Sequence, residues 1–243
     1  MAEITQERIL VIIPAFNEEK RIGTVIRGVK KHLPDATTLV MDDGSRDRTR
    51  QEAEREGAKV ISHPYNLGYG AALQTGYKFA LRAGDDLMVQ LDGDGQHDPS
   101  FIEAFLEIIR KGEADIVIGS RFLSAGGQRS DVYRAPFIRK VGMTFFKWIT
   151  SLLIHQKVTD PTSGYQAMNR KALEWVSGDQ FPVDYPDADV IIMLHRAGFR
   201  IKAVPVRMFE SPDKQTMHSG WKPLYYVFKM ILSIGVTMMR KSI

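Results

Sequence analysis

Cysteine is absent from the chain. No disulfide can staple it and no thiolate can hold a metal, so stability must come from a core, and any cation from oxygen or imidazole ligands. Acidic residues are absent from Lys214 onward, where Lys214, Lys222, Lys229, Arg240 and Lys241 carry the only charge. The net charge is +4, so with five positive charges in that tail the rest of the chain carries about −1. The fold as a whole therefore lacks an electrostatic footprint for nucleic acid. Met1-Ala2-Glu3-Ile4-Thr5 has neither a basic n-region nor a long apolar h-region. No signal peptide is expected, and a cytoplasmic location is. A glycine-rich, lysine-bearing phosphate loop is missing after the first apolar run; the acidic Pro14-Ala15-Phe16-Asn17-Glu18 stands there instead. That speaks against nucleotidyl transfer.

What is present is an ordinary globular composition, 44% hydrophobic and 26% charged over 243 residues, enough for one large domain with an appendage. No internal repeat or low-complexity tract appears. Short apolar runs alternate with helical spacing. Strands are predicted at Ile9–Ile13 (ended by Pro14), Thr37–Met41, Lys59–Ile61, Asp86–Leu91 and Asp115–Gly119. Helices are predicted at Glu19–Lys31, Arg48–Glu56, Tyr69–Ala83 and Pro99–Lys111, the last with proline in its first turn. Ser124–Gln128 is glycine-rich and predicts a loop. The alternation implies an α/β fold, a mostly parallel central sheet with helices on both faces.

The run Leu87-Met88-Val89-Gln90-Leu91 stops in Asp92-Gly93-Asp94-Gly95-Gln96. Two carboxylates at a strand's carboxyl end sit where open α/β sheets bind ligands. They repel one another unless a hard divalent cation lies between them, and such a cation is usually completed by substrate phosphates. The competing reading is a plain Asp-Gly turn. Asp42-Asp43-Gly44-Ser45 closes the second strand in the same way, and alone it is a turn capping the next helix. Parallel strands bring both acidic turns to one edge.

Five motifs now stand in order: Pro14-Ala15-Phe16-Asn17-Glu18-Glu19, Asp42-Asp43-Gly44-Ser45, Asn66-Leu67-Gly68-Tyr69-Gly70, Asp92-Gly93-Asp94-Gly95-Gln96 and Gly119-Ser120-Arg121-Phe122. Asp160-Pro161-Thr162-Ser163-Gly164-Tyr165 and Val204-Pro205-Val206 follow. Over roughly residues 8–210 the chain resembles family 2 glycosyltransferases of the GT-A fold, in particular the dolichyl- or polyprenyl-phosphate mannosyl- and glucosyltransferases. The resemblance implies that Pro14, Phe16, Glu18, Asp42 and Asp43 form the nucleoside pocket. It makes Asp92 and Asp94, with Gly93 between them and Gln96 beside them, the site of a Mg²⁺ or Mn²⁺ ion. It makes Arg121 a diphosphate clamp, with Arg139 a second candidate cation there. Arg suits that role, because its planar fork meets phosphate oxygens in pairs and stabilises charge on the leaving group. The plainer reading of Arg121 is a surface ion pair. Asp160 is the candidate catalytic base; otherwise it orients the acceptor, pairs with the metal region or belongs to an ordinary Asp-Pro turn. His97 and His155 are left as structural residues. One departure stands out. The lipid-phosphate branch commonly carries an Arg and a Lys soon after the Val-Pro strand, and here those positions fall near Ser211 and Met217, with Lys214 and His218 the available substitutes.

Pro223–Arg240 has helical character, with Lys222, Tyr226, Lys229, Ser233, Thr237 and Arg240 on one polar stripe. Eighteen helical residues span about 27 Å, barely a bilayer core. The expectation is a GT-A domain over residues 1–210 and a basic amphipathic tail over 211–243. That tail would lie in the membrane interface with its lysines toward headgroups. Packing on the protein is the alternative, and Phe137–Ile154, with Phe145, Phe146 and Trp148, is open to the same two readings. The implied enzyme is a metal-dependent inverting hexosyltransferase acting from GDP-mannose or UDP-glucose on a polyprenyl phosphate, peripheral on the cytoplasmic membrane face. A small membrane protein is a further candidate partner. The alternatives are transfer to a saccharide or other hydroxyl acceptor, and a non-catalytic nucleotide-sugar-binding membrane adaptor.

Overall fold

The computed structural model describes residues 7–123, 137–155, 158–182, 186, 188–209 and 222–239, without the side chains of 137–143, 222–228, 230 and 231. Seven strands form one sheet: β1 (Ile9–Ala15), β2 (Thr37–Asp42), β3 (Lys59–Ser62), β4 (Leu87–Gln90), β5 (Ile116–Ser120), β6 (Gln166–Asn169) and β7 (Ile201–Pro205). The helices are α1 (Ile22–His32), α2 (Thr49–Arg55), α3 (Tyr69–Ala83), α4 (Ile102–Arg110), α5 (Phe137–Ile154), α6 (Arg170–Val176), α7 (Ala188–Arg196) and α8 (Lys222–Met239).

The strand order is β3-β2-β1-β4-β6-β5-β7. β6 runs antiparallel to both its neighbours, and the other strands are parallel. The chain winds outward from β1 to β3, then returns to place β4 on the other side of β1. That reversal opens a crevice at the carboxyl ends of β1 and β4, where ligands bind in sheets of this kind.

Alternation along the strands builds two cores. Val11, Ile13, Val40, Val89 and Val117 meet Ile22, Val25 and Ile26 of α1 and Phe105 and Leu106 of α4. Leu10, Ile12, Leu39, Met41 and Met88 meet α3, α6 and α7 on the opposite face. Each large aliphatic side chain buried in this way contributes about 1.5–3 kcal/mol. α3 approaches the sheet closely at Gly76, where a Cβ would stand 2.9 Å from Ile12 Cγ2.

Several sequence expectations shift in detail. β1 continues through Pro14 to Ala15. Pro14 lies in register beyond Gln90, where β4 has ended, so its missing N–H costs no ladder bond. The Pro99 helix begins as a 3₁₀ turn, Pro99–Phe101, capped by Asp98. The antiparallel β6 was not anticipated; four residues are too few to show a period.

In the tail, the described part of α8 packs on the protein, the alternative weighed for it. Residues 210–221, which include the proposed boundary, Lys214 and His218, lie outside the described residues. α8 itself packs against α7, and Ile234 joins the core. Ser233 and Thr237, placed by the sequence on one polar stripe, face inward. Ser233 Oγ donates to the buried Asp189 carboxylate, and Arg196 Nη1 donates to the Thr237 carbonyl at 2.6 Å. A buried carboxylate needs donors, and the Ser233 hydroxyl supplies one from α8. Leu232, Val236, Met238 and Met239 point outward instead. No described helix is long and apolar enough to cross a membrane.

Candidate active site

The first two motifs are stitched together after β1 and β2. Asn17, in a left-handed conformation at φ 57°, donates its backbone N–H to Ser45 Oγ and accepts the Arg46 N–H at its Oδ1, both at 2.9 Å. The Glu18 N–H donates to Thr49 Oγ1 at 2.7 Å, and the Glu19 N–H to Asp47 Oδ2 at 3.1 Å. Glu18 also pairs with Arg21 at 2.6 Å. Gly44 has φ 72°, and a Cβ there would fall 2.5 Å from the Tyr65 carbonyl carbon, so only glycine fits beneath the loop after β3.

These loops enclose a cleft of about 540 Å³. Phe16 and Asp42 line it, together with Arg46, Tyr65 and Asn66, which sequence reasoning had not assigned. Phe16 is exposed, an aromatic face open to solvent. Asp42 accepts the Ser45 N–H at Oδ1. Pro14, Glu18 and Asp43 do not line this cleft. The Asp43 carboxylate accepts the Leu67 and Gly68 N–H groups at 2.9 and 2.8 Å and pairs with His63 Nδ1 at 2.7 Å, while His63 Nε2 meets Thr75 Oγ1 at 3.0 Å. Asp43 thus anchors the loop that walls the cleft and presents α3.

The acidic turn after β4 lies across the end of β1. The Gly93 N–H donates to the Pro14 carbonyl at 3.2 Å, and a Cβ on Gly93 would stand 3.1 Å from that oxygen. Asp92 keeps 30% of its side chain exposed at the foot of the crevice. Burial raises its pKa against the opposing effects of a Tyr69 hydrogen bond and the Arg121 charge. Burial and the Asp92 charge raise that of Asp94, against a Gln96 hydrogen bond and the Arg21 charge. Gln96 donates its backbone N–H and its side-chain amide to the two Asp94 oxygens, at 2.9 and 2.8 Å. His97 accepts the Asp92 N–H at Nδ1, 3.0 Å away, and stacks on Tyr165 with centroids 4.9 Å apart. Burial lowers its pKa to about 4, so it is neutral and carries its proton on Nε2.

Two carboxylates raised by burial, Asp94 also by the Asp92 charge, suit a divalent cation, which relieves both costs. Among the described residues no cluster of three His, Cys, Asp or Glu forms a complete cage. A cation bound by two carboxylates keeps positions for phosphate oxygens, so the donor set fits one that arrives with a diphosphate. The backbone leaves room as well. Gly164 faces this point so closely that a Cβ would stand 2.9 and 3.0 Å from the Asp92 oxygens.

Arg121 follows β5 and is buried beside Asp160. Its Nε donates to Oδ2 at 2.7 Å and its Nη2 to Oδ1 at 3.3 Å, while its backbone N–H reaches Oδ2 at 3.2 Å. Thr162 Oγ1 adds a contact to Oδ1 at 3.4 Å. Asp160, expected as a base, is 1% exposed and both its oxygens are engaged. Arg139 lies in the first turn of α5, and its side chain lies outside the described residues.

The profile of the family named Glycosyl transferase family 2 matches residues 10–176. This chain is a family 2 glycosyltransferase. It is similar to the polyprenol monophosphomannose synthase of Mycolicibacterium smegmatis, 31% identical over 234 residues covering 92% of this chain and 86% of that protein. It is likewise similar to the undecaprenyl-phosphate mannosyltransferase of Micrococcus luteus, 30% identical over 88% of each. Among solved structures, glucosyl-3-phosphoglycerate synthase from Mycobacterium tuberculosis, in complex with Mn²⁺ and UDP, superposes with a TM-score of 0.67 at 21% identity. That match covers 94% of this chain and 80% of the other. The glycosyltransferase has the GT-A fold expected from its motif order.

Proposed function

We propose that this glycosyltransferase moves a hexose from a nucleoside-diphosphate sugar to a polyprenyl phosphate, with inversion. The observation that carries the proposal is the meeting of the Asp92–Asp94 pair and Arg121 at the carboxyl edge beside the cleft; the Arg121 charge acts on Asp92 directly. The nucleoside lies in the cleft against Phe16 and Asp42, and the diphosphate runs toward Asp92. Asp92 and Asp94 would hold a Mg²⁺ or Mn²⁺ ion, which would supply positive charge where the leaving nucleoside diphosphate gathers negative charge. Arg121 adds a second, permanent positive charge.

An acceptor oxygen attacks the anomeric carbon as the bond to the diphosphate breaks, and the diphosphate leaves with the electron pair. A hydroxyl acceptor needs a base for its proton. Asp160, the carboxylate expected to serve, is spent on Arg121. A phosphate monoester is already an anion near neutral pH and needs little deprotonation, which supports a lipid phosphate over a saccharide. Asp160 is accordingly assigned to hold Arg121, and Asp43 to hold the cleft wall. The relatives named for polyprenol and undecaprenyl phosphate support the same acceptor. The enzyme works from the cytoplasmic face, resting on the membrane by the exposed apolar sides of α5 and α8.

The test is transfer from GDP-mannose and UDP-glucose to undecaprenyl phosphate, with and without Mn²⁺. A lipid-linked sugar formed only with metal is the expected product. Transfer to a hydroxyl acceptor with none to lipid phosphate would overturn the assignment.

A further inference from the structure

The Asp92 carboxylate is the end of a hydrogen-bond chain that runs back into the core. Tyr69 Oη donates to Asp92 Oδ1 at 2.9 Å, Gln90 Nε2 donates to Tyr69 Oη at 3.1 Å, and Tyr77 Oη donates to Gln90 Oε1. Gln90 is 2% exposed and Tyr77 3%. The two tyrosines sit on α3, eight residues apart, and face the last residue of β4.

The direction of every bond in this chain follows from its end. A carboxylate that holds a cation only accepts. The single proton of Tyr69 must therefore go to Asp92, which leaves its oxygen to accept from the Gln90 amide nitrogen. The Gln90 carbonyl then faces Tyr77, whose proton it takes. Any reversal leaves a buried polar atom unpaired, at a cost of about 1–3 kcal/mol. Tyr77 is held in turn by packing edge-on against Phe181, centroids 5.4 Å apart.

We infer that Tyr69 is a positioning residue. It holds Asp92 Oδ1 so that the carboxylate meets the cation in one orientation, with Gln90 and Tyr77 fixing Tyr69 from behind. The inference rests on the proposal that Asp92 and Asp94 hold a divalent cation. Two further observations agree with it. His97 fixes the Asp92 backbone from the other side through its N–H. Gly164 lies 2.7 Å from Tyr69 Oη by the Cβ it lacks, so the tyrosine and the carboxylate are enclosed together. Tyr69 enters α3 directly after Gly68, whose φ of 101° turns the chain into the helix at this point.

The measurement is Mn²⁺ affinity in the presence of UDP, by calorimetry and by electron paramagnetic resonance of free Mn²⁺, on the full chain. Wild type, Tyr69→Phe, Tyr77→Phe and Asp94→Ala are compared, with Tm recorded for each. Tyr69→Phe should weaken Mn²⁺ binding about tenfold or more, and saturating Mn²⁺ should restore much of kcat. Tyr77→Phe should weaken it less but in the same direction, and it decides the matter if Tyr69→Phe does not fold. Mn²⁺ affinity within twofold of wild type in the folded tyrosine variants would overturn the inference while Asp94→Ala still lost binding. Equal binding by wild type and Asp94→Ala would remove the cation site itself, and the inference with it.

Discussion

The Arg121 guanidinium lies along the Asp160 carboxylate, Nε to Oδ2 at 2.7 Å, in a pair nearly closed to solvent. Removing one partner of a buried pair leaves the other charge uncompensated, at a cost of about 3–5 kcal/mol. Asp160→Ala should therefore unfold at markedly lower denaturant than wild type, and Asp160→Asn less so. Both should lose transfer through Arg121. The pH profile separates this role from that of a base. If Asp160 only positions Arg121, the residual activity of Asp160→Asn keeps the acidic limb of kcat/KM; loss of that limb would restore Asp160 as the base. Arg121→Lys, which cannot pair in two places, should lower kcat about 10²-fold.

Gly164 makes a steric prediction. A methyl group there would stand 2.7 Å from Tyr69 Oη and within 3.0 Å of both Asp92 oxygens. The atoms it meets are the ends of side chains, so the fold can adjust but the acidic turn cannot keep its shape. Gly164→Ala should retain a cooperative melt close to that of wild type while Mn²⁺-dependent donor hydrolysis falls at least about tenfold. Unchanged hydrolysis would mean that the Asp92 oxygens do not face the cation.

How much of this was legible in the sequence varies by residue. The strands from β1 to β5 and α3 were readable because buried parallel strands are short apolar runs and their helices carry a clear period. The acidic turns were readable as strand ends, but each alone was also an ordinary turn; only their shared sheet edge set them apart. The partners were not. Nothing local links Asp160 to Arg121 across 39 positions or Tyr69 to Asp92 across 23. Tyr69 stood inside a recognised motif yet served there only as a helix entry. Asp43 was placed in the nucleoside pocket by the family resemblance, and nothing local showed its pairing with His63 across 20 positions. The inward set of Ser233 and Thr237 depended on α7, where the buried Asp189 takes the Ser233 hydroxyl and Arg196 donates to the Thr237 carbonyl.

Asp94 carries a stability cost in the metal-free protein. Burial and the Asp92 charge raise its pKa, against a hydrogen bond from Gln96 and the nearby Arg21 charge. For an acid, a raised folded pKa means that ionisation opposes folding. The penalty is absent below the unfolded value near about 3.9 and complete once pH exceeds the folded value. At pH 7 Asp94→Asn should therefore raise the Tm of the metal-free protein, by about 2–4 °C for each 1 kcal/mol relieved. Mn²⁺ with UDP should raise the Tm of wild type and leave that of the variant unmoved. A fall in Tm for the metal-free variant would contradict the account.

Asp115 shows the opposite sign, away from the site. Hydrogen bonds from Arg200, with another from Asn169, outweigh burial and hold its pKa at about 2. It ties the starts of β5 and β7 together and reaches the end of β6. A depressed folded pKa stabilises above the unfolded value of about 3.9, and that contribution is lost as pH falls toward 2. Denaturant titrations should show Asp115→Asn less stable than wild type at pH 7, with the gap closing between about pH 4 and 2. A gap that stays constant over that range would assign the loss to packing rather than charge.

The proposed membrane face rests on which residues the two outer helices leave uncovered. On α5, Phe145, Trp148 and Leu152 are exposed at 38%, 61% and 53%, while Phe146 between them is buried. On α8, Leu232, Val236 and Met239 are exposed at 57%, 40% and 78%. Each set repeats at helical spacing, so each forms one side of its helix, and both helices pack against α7. A water-soluble surface gains nothing from two such sides, whereas an interface that takes up apolar side chains gains about 1.5–3 kcal/mol from each large one. Replacing Trp148 and Met239 together by glutamate should cut binding to phosphatidylglycerol vesicles at least about tenfold. Metal-dependent hydrolysis of the donor in solution should stay at the wild-type rate, because neither residue reaches the crevice. Vesicle binding that survives the double replacement would move the lipid contact elsewhere on the molecule.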